Sequence, residues 1–169
     1  MADKNPGIGR TVLASEIMST PVLTTRKSST VSEAAALMLV NRVGSIVVIE
    51  DNGDYAGMLT ERMLIPEEVL VPFMRGSAFR ILGHEVGDFE NLEEVMDELR
   101  MTLVGEVMSR EDPTAAADTH IGDLVEQMAT RNCHHICILE DSKPVGIVSR
   151  HDLLRLFLNP AGDPVRREQ

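Results

Sequence analysis

Gly146-Ile147-Val148-Ser149-Arg150-His151-Asp152-Leu153 decides the reading of this chain, because Gly57-Met58-Leu59-Thr60-Glu61-Arg62-Met63-Leu64 repeats its pattern earlier in the sequence. In both, a glycine and apolar residues lead to a Thr or Ser where an extended run gives way to a helix, and that hydroxyl is suited to cap the helix. Strand end, turn and helix N-terminus then converge where backbone N–H groups point outward and favour an anion. The copies differ at one position that matters: Asp152 stands in the second and Met63 in the first.

The repetition extends upstream, where Met18, Val31, Val43 and Gly44 recur as Met108, Ile121, Cys133 and His134. Each copy opens with a short apolar turn, Leu13 to Met18 or Leu103 to Met108, and a brief extended run, Val22 to Thr25 or Thr114 to Ala117. An amphipathic helix follows. Val31, Ala34, Ala35 and Met38 keep helical spacing behind a Thr30/Glu33 capping box; Ile121, Leu124, Val125 and Met128 form the matching stripe, with Asp118 or Thr119 as cap. Two hairpins come next. Ser45 to Ile49 and Tyr55 to Leu59 flank Asp51-Asn52-Gly53-Asp54, while His135 to Leu139 and Val145 to Val148 flank Asp141-Ser142-Lys143-Pro144. A repeated unit of this kind cannot bury its apolar face alone, so the copies are expected to pack together with function between them.

The 169 residues suffice for one compact domain or two half-domains sharing a core. Twenty-seven acidic against sixteen basic residues give a net charge of −11, which argues against nucleic acid and anionic membrane surfaces as partners. No segment approaches the roughly 18 uninterrupted apolar residues of a membrane span, and a cytoplasmic protein is expected. Cys133 and Cys137 are the only cysteines and are read as free thiols of a reducing compartment. On one strand they lie about 13 Å apart, beyond disulfide reach. They share a face with His135, but a fourth ligand and zinc-like spacing are missing, so no metal site is assigned.

The glycine, apolar, Ser/Thr, two residues, Asp, apolar pattern at 146–153 resembles the strand-to-helix motif of the cystathionine β-synthase (CBS) domain family. With the upstream Met-Ser, extended run, capped helix and strand pair present twice, the chain is identified as resembling a tandem CBS pair (Bateman module). The resemblance implies an α/β fold of two β-α-β-β-α repeats related by a pseudo-twofold axis, assembling as a homodimer. Repeat 1 is placed at 12–64 and repeat 2 at 103–158, with tails at 1–11 and 159–169. The insert at 65–102 has no counterpart; Leu92, Val95, Met96 and Leu99, behind Asn91 and Glu94, predict a helix at 91–101 with an acidic solvent face.

The family is regulatory rather than catalytic, and its tandem pairs bind adenosine-containing ligands such as AMP, ADP, ATP or S-adenosylmethionine in clefts between the repeats. Carried onto this chain, that role falls on Asp152, whose acceptor-only carboxylate suits the two ribose hydroxyls. Ser149 and the helix N–H groups would hold a phosphate, with Arg150 or His151 supplying positive charge. His134 and His135 stand where relatives often carry basic residues reaching ligand phosphates, which would make binding sensitive to pH near neutrality. A thioether cannot replace the carboxylate, so the Thr60 cleft is expected to be vestigial or to use Arg62 for phosphate alone. Ser149, His151 and Asp152 are too close in sequence to relay a proton in line, and no catalytic residues are assigned. The expectation is a stand-alone, non-enzymatic sensor that needs no cofactor beyond its regulatory ligand and signals to an unknown protein target. The rival reading is a ligand-independent dimerisation or scaffold module.

Overall fold

In a computed structural model of the protein, residues 12–64, 79–81, 84–86, 97 and 100–158 are described. They form two compact units, and only one is contiguous in sequence: it runs from Leu23 to Arg110, while the other joins the segment ending at Val22 to the chain from Glu111 onward.

In the Leu23–Arg110 unit, β1 (Thr24–Arg26) pairs parallel with β2 (Ser45–Ile49), and β2 pairs antiparallel with β3 (Tyr55–Thr60). Helix α2 (Val31–Asn41) makes the crossover, and α3 (Glu61–Leu64) follows β3 directly. The Thr30/Glu33 capping box forms as expected: Thr30 Oγ1 accepts the Glu33 N–H, and the Glu33 carboxylate accepts the Thr30 N–H. Ala34 and Met38 of α2 pack on Ile46, Val48 and Leu59, and α4 (Val104–Val107) adds Val104 to that core. A two-stranded hairpin, β4 (Phe79–Ile81) and β5 (His84–Val86), lies within the insert. Of the predicted 91–101 helix, Asp97, Arg100 and Met101 are helical, while the rest of it and both tails fall outside the described residues.

The other unit repeats the plan. β6 (Thr114–Ala116) runs parallel to β7 (His135–Glu140), which pairs antiparallel with β8 (Lys143–Ser149); α5 (Ile121–Thr130) crosses over and α6 (Arg150–Leu158) closes the repeat. Its core combines Ile121, Leu124, Met128, Ile136, Ile138 and Val148 with Val12 and Ala14, the latter in α1 (Ala14–Ile17). Each leading helix therefore completes the core of the unit built from the other sequence copy. Backbone bonds fix this exchange: the Ala14 N–H donates to the Thr119 carbonyl at 2.8 Å, and the Val104 N–H to Ser29 at 2.8 Å.

Two local expectations are corrected. Helix α5 is capped by neither Asp118 nor Thr119; its N-cap is His120, without a side-chain bond. Thr119 Oγ1 instead accepts the Ala116 N–H at 3.1 Å, and the Ile121 N–H donates to the Val12 carbonyl at 3.0 Å, so the leading segment satisfies the helix end. The second hairpin is tighter than the four-residue turn read from sequence. Asp141 and Ser142 both adopt positive φ, 48° and 66°, giving a two-residue loop whose twist suits the strands, and Lys143 and Pro144 already belong to β8. Pro144 pairs with Leu139 beside a register shift, where a missing N–H costs the ladder least.

Candidate functional site

The end of β8 and the start of α6 gather the predicted site residues of the second copy. Ser149 and Asp152 form a reciprocal cap: Asp152 Oδ2 accepts the Ser149 N–H at 2.8 Å and its hydroxyl at 2.6 Å, while Ser149 Oγ accepts the Asp152 N–H at 3.3 Å. Asp152 is 2% exposed, an extreme burial for a carboxylate. Among the described residues two groups hold its other oxygen, and the sequence pattern singles out neither. Ser19 Oγ donates to Oδ1 at 3.4 Å, and Arg155 Nη1 lies 3.3 Å away. Arg155 was legible as the i+3 neighbour of Asp152 on a helix; Ser19 was not, because it belongs to the leading segment of the first copy.

His134 and His135 lie against this helix start. The Arg150 N–H donates to the His134 carbonyl at 3.0 Å, and His135 stands directly opposite Ser149 in the β7/β8 register. Directly opposed residues share a sheet face, which brings His135 to the side of Ser149. Burial pushes the His135 imidazole below the ordinary histidine value, and the neighbouring His134 acts in the same direction, while the Asp152 carboxylate opposes them. His135 is therefore neutral at pH 7, an acceptor as well as a donor. Arg150 and His151 are exposed on the first turn of α6. The structure thus brings Ser149, Asp152 and His135 together, with the His134 backbone, and leaves the Arg150 and His151 side chains turned to solvent.

The cysteines are buried to different degrees. Cys137 is fully buried and its thiol is pushed up to about 12 by burial, so it carries no thiolate at neutral pH. Cys133 is half-buried, and burial and the nearby Asp112 carboxylate both raise its thiol. Among the described residues, no group of three or more His, Cys, Asp or Glu side chains is arranged to hold a metal ion.

The corresponding mouth of the other unit keeps the backbone and changes the chemistry. The Glu61 N–H donates to the Gly44 carbonyl at 3.0 Å, matching Arg150 and His134, and Ser45 opposes Thr60 where His135 opposes Ser149. The Glu61 carboxyl lies over Gly44, with its atoms 3.1 to 3.3 Å from where a Cβ would stand. Met63 occupies the position of Asp152, and Arg62 is exposed. This mouth presents a carboxylate over Gly44 and has a thioether residue at the sequence position of Asp152, so of the two it is the less suited to an anion.

Comparison with known proteins fits this geometry. The family model for the CBS domain matches residues 14–68 and 104–159, and the chain belongs to the CBS domain family as a tandem pair. The CBS domain-containing protein YhcV of Bacillus subtilis is 30% identical over 138 residues, which cover 82% of this chain and 80% of that protein. Uncharacterized proteins of Methanocaldococcus jannaschii and Methanopyrus kandleri are each 24% identical; the match covers 83% and 87% of this chain but only 30% and 63% of theirs. Among solved structures, the CBS domain of a membrane protein from Sphaerobacter thermophilus aligns at a TM-score of 0.66 and 27% identity, over 88% of this chain and 89% of that one. The CBS domain pair of protein MJ0100, solved in complex with 5′-methylthioadenosine and S-adenosyl-L-methionine, aligns at 0.62 and 19% identity, over 86% and 95%. At that identity the likeness speaks for a common fold. No helix among the described residues is long and apolar enough to cross a membrane.

Proposed function

We propose that this chain is a non-catalytic regulatory module that binds an adenosine-containing small molecule at the Ser149–Asp152 mouth and passes occupancy, as a homodimer, to a partner protein. AMP, ADP, ATP and S-adenosylmethionine are the ligand class. The observation that carries the reading is the uneven use of the Asp152 carboxylate: Oδ2 is tied into the helix cap by two short bonds, while among the described residues Oδ1 is held at 3.3 and 3.4 Å. Oδ1 is the oxygen that a ribose hydroxyl would take in a charge-assisted bond. The exposed Arg150 and His151, on the first turn of the same helix, suit a phosphate or a carboxylate carried by the ligand. The ligands held by the MJ0100 CBS pair belong to the same chemical class.

The test is thermal unfolding of the purified chain against AMP, ADP, ATP and S-adenosylmethionine, repeated with Asp152→Asn. Asparagine keeps a carbonyl for the cap and removes the charge. A ligand at about 100 times its Kd adds roughly 2.7 kcal/mol, or on the order of 5 to 10 °C for a chain of this size. A shift that disappears in the variant supports the sensor. No shift with any of the four overturns it and leaves the ligand-independent dimerisation module, to which the exposed Leu39 and Val40 on α2 would offer apolar surface.

A further inference from the structure

We propose that Ser19 is the residue through which occupancy of Asp152 is read: a ligand hydroxyl takes Oδ1 in exchange for Ser19, and the exchange loosens the leading segment from β8. This rests on the functional reading above and adds to it a route by which the ligand acts on the protein.

A carboxylate offers about four lone-pair directions, and Asp152 uses those of Oδ2 for the Ser149 N–H and hydroxyl. Withdrawing Oδ2 would open the start of α6, so an incoming hydroxyl has to be met by Oδ1. Charge-assisted O–H···O⁻ bonds run at about 2.5–2.7 Å and N⁺–H···O⁻ bonds at about 2.7–2.9 Å. Ser149 meets that standard at 2.6 Å; Ser19 at 3.4 Å and Arg155 at 3.3 Å do not. These two loose contacts are the exchangeable ones.

Ser19 is aimed by a short backbone seam. Its N–H donates to the Ile147 carbonyl at 2.8 Å, and the Ile147 N–H returns a bond to the Ser19 carbonyl at 3.2 Å. Met18 packs so closely over Gly146 that a Cβ there would stand 2.2 Å from its Sδ. Displacing the Ser19 hydroxyl therefore acts on a seam that binds residues of the first sequence copy to the site strand of the second. The segment leaves this unit at Val22, three residues further on.

The other unit supplies an internal control. Ser109 makes the equivalent seam, exchanging bonds of 2.9 Å in both directions with Met58, but position 63 offers no carboxylate. Occupancy is thus read on one side of the pair.

The experiment is calorimetric titration of AMP, ATP and S-adenosylmethionine into the wild-type chain, Ser19→Ala and Ser109→Ala, with hydrogen exchange at the Ser19 and Ile147 amides with and without ligand. Removing the competitor should tighten binding about three- to tenfold in Ser19→Ala and leave Ser109→Ala unchanged, and ligand should speed exchange at both amides in the wild type. The gain in Ser19→Ala should vanish with 2′,3′-dideoxy-AMP or 2′,3′-dideoxy-ATP, which bring no hydroxyl to Oδ1. Binding to the wild type with an equal or weaker affinity in Ser19→Ala, or slower exchange at the seam, overturns this inference and leaves the functional reading standing. Binding of none of the three ligands to the wild type overturns the functional reading itself and this inference with it.

Discussion

Replacing Asp152 by alanine should damage the fold as well as the proposed site, and the size of the loss follows from its contacts. Alanine removes the acceptor of the Ser149 N–H and hydroxyl bonds at 2.8 and 2.6 Å. A hydrogen bond to a charged group contributes about 1.5–3 kcal/mol, and a helix cap about 1 kcal/mol. Because both bonds share one oxygen and Ser149 is only half-buried, so that water can replace part of what is lost, the pair together is worth about 3 kcal/mol. The ion pair with Arg155, itself 26% exposed, adds on the order of 0.5 kcal/mol. The expected loss of about 3 to 4 kcal/mol corresponds to roughly 6 to 16 °C in Tm for a chain of this length. Asp152→Asn, which retains a carbonyl, should lose about 1 kcal/mol by the same reasoning. Urea unfolding followed by circular dichroism measures each, and a double-mutant cycle with Ser149→Ala should give a coupling of about 1 to 2 kcal/mol. A loss below about 0.5 kcal/mol in Asp152→Ala, or no coupling to Ser149, would refute the assignment of Asp152 as the structural half of a capping box.

His135 predicts a pH dependence. Its folded pKa lies below the unfolded value of 6.5, so on acidification the unfolded chain takes up the proton first. Stability should fall as pH drops through about 6.5 toward the folded pKa, and His135→Gln should flatten that part of the profile, as read from urea midpoints between pH 5 and 8; identical wild-type and variant profiles would contradict the burial argument. Gly57 and Gly146 occupy the same motif position, yet alanine should cost them different amounts. At Gly57 the new Cβ would stand 2.2 Å from the Ser109 carbonyl oxygen, which is backbone, whereas at Gly146 it meets the flexible Met18 side chain. Gly57→Ala should lose about 2 kcal/mol more than Gly146→Ala in chemical denaturation, because it forces apart a seam of two hydrogen bonds; equal losses would show that the Ser109 seam yields as readily as a side chain.

Much of each repeat was legible because its causes are local. The Thr30/Glu33 box, the strands at Ser45–Ile49 and His135–Glu140, and the Ser149 cap all follow from side chains within a few residues of the backbone groups they serve. The cap of α5 was misread for the complementary reason. The group that satisfies its first N–H is a carbonyl at Val12, distant in sequence, and Thr119 was left to serve its own turn. Asp152 was singled out by its motif, but its burial and its contact with Ser19 were not, since Ser19 comes from the leading segment of the first copy.

The sequence by itself determined that there are two copies, which elements each contains, that the chain resembles a CBS pair, and that one mouth carries a carboxylate where the other carries a thioether. Only the tertiary structure decided which copy each leading helix completes. The stripes that receive them, Val31, Ala34 and Met38 in one copy and Ile121, Leu124 and Met128 in the other, have the same spacing and nearly the same apolar character, so hydrophobic periodicity cannot distinguish them. The choice is made by backbone bonds such as Ala14 to Thr119 and Val104 to Ser29. It is also what sets Ser19 against Asp152, a contact that exists because the chain crosses from one unit to the other just beyond it.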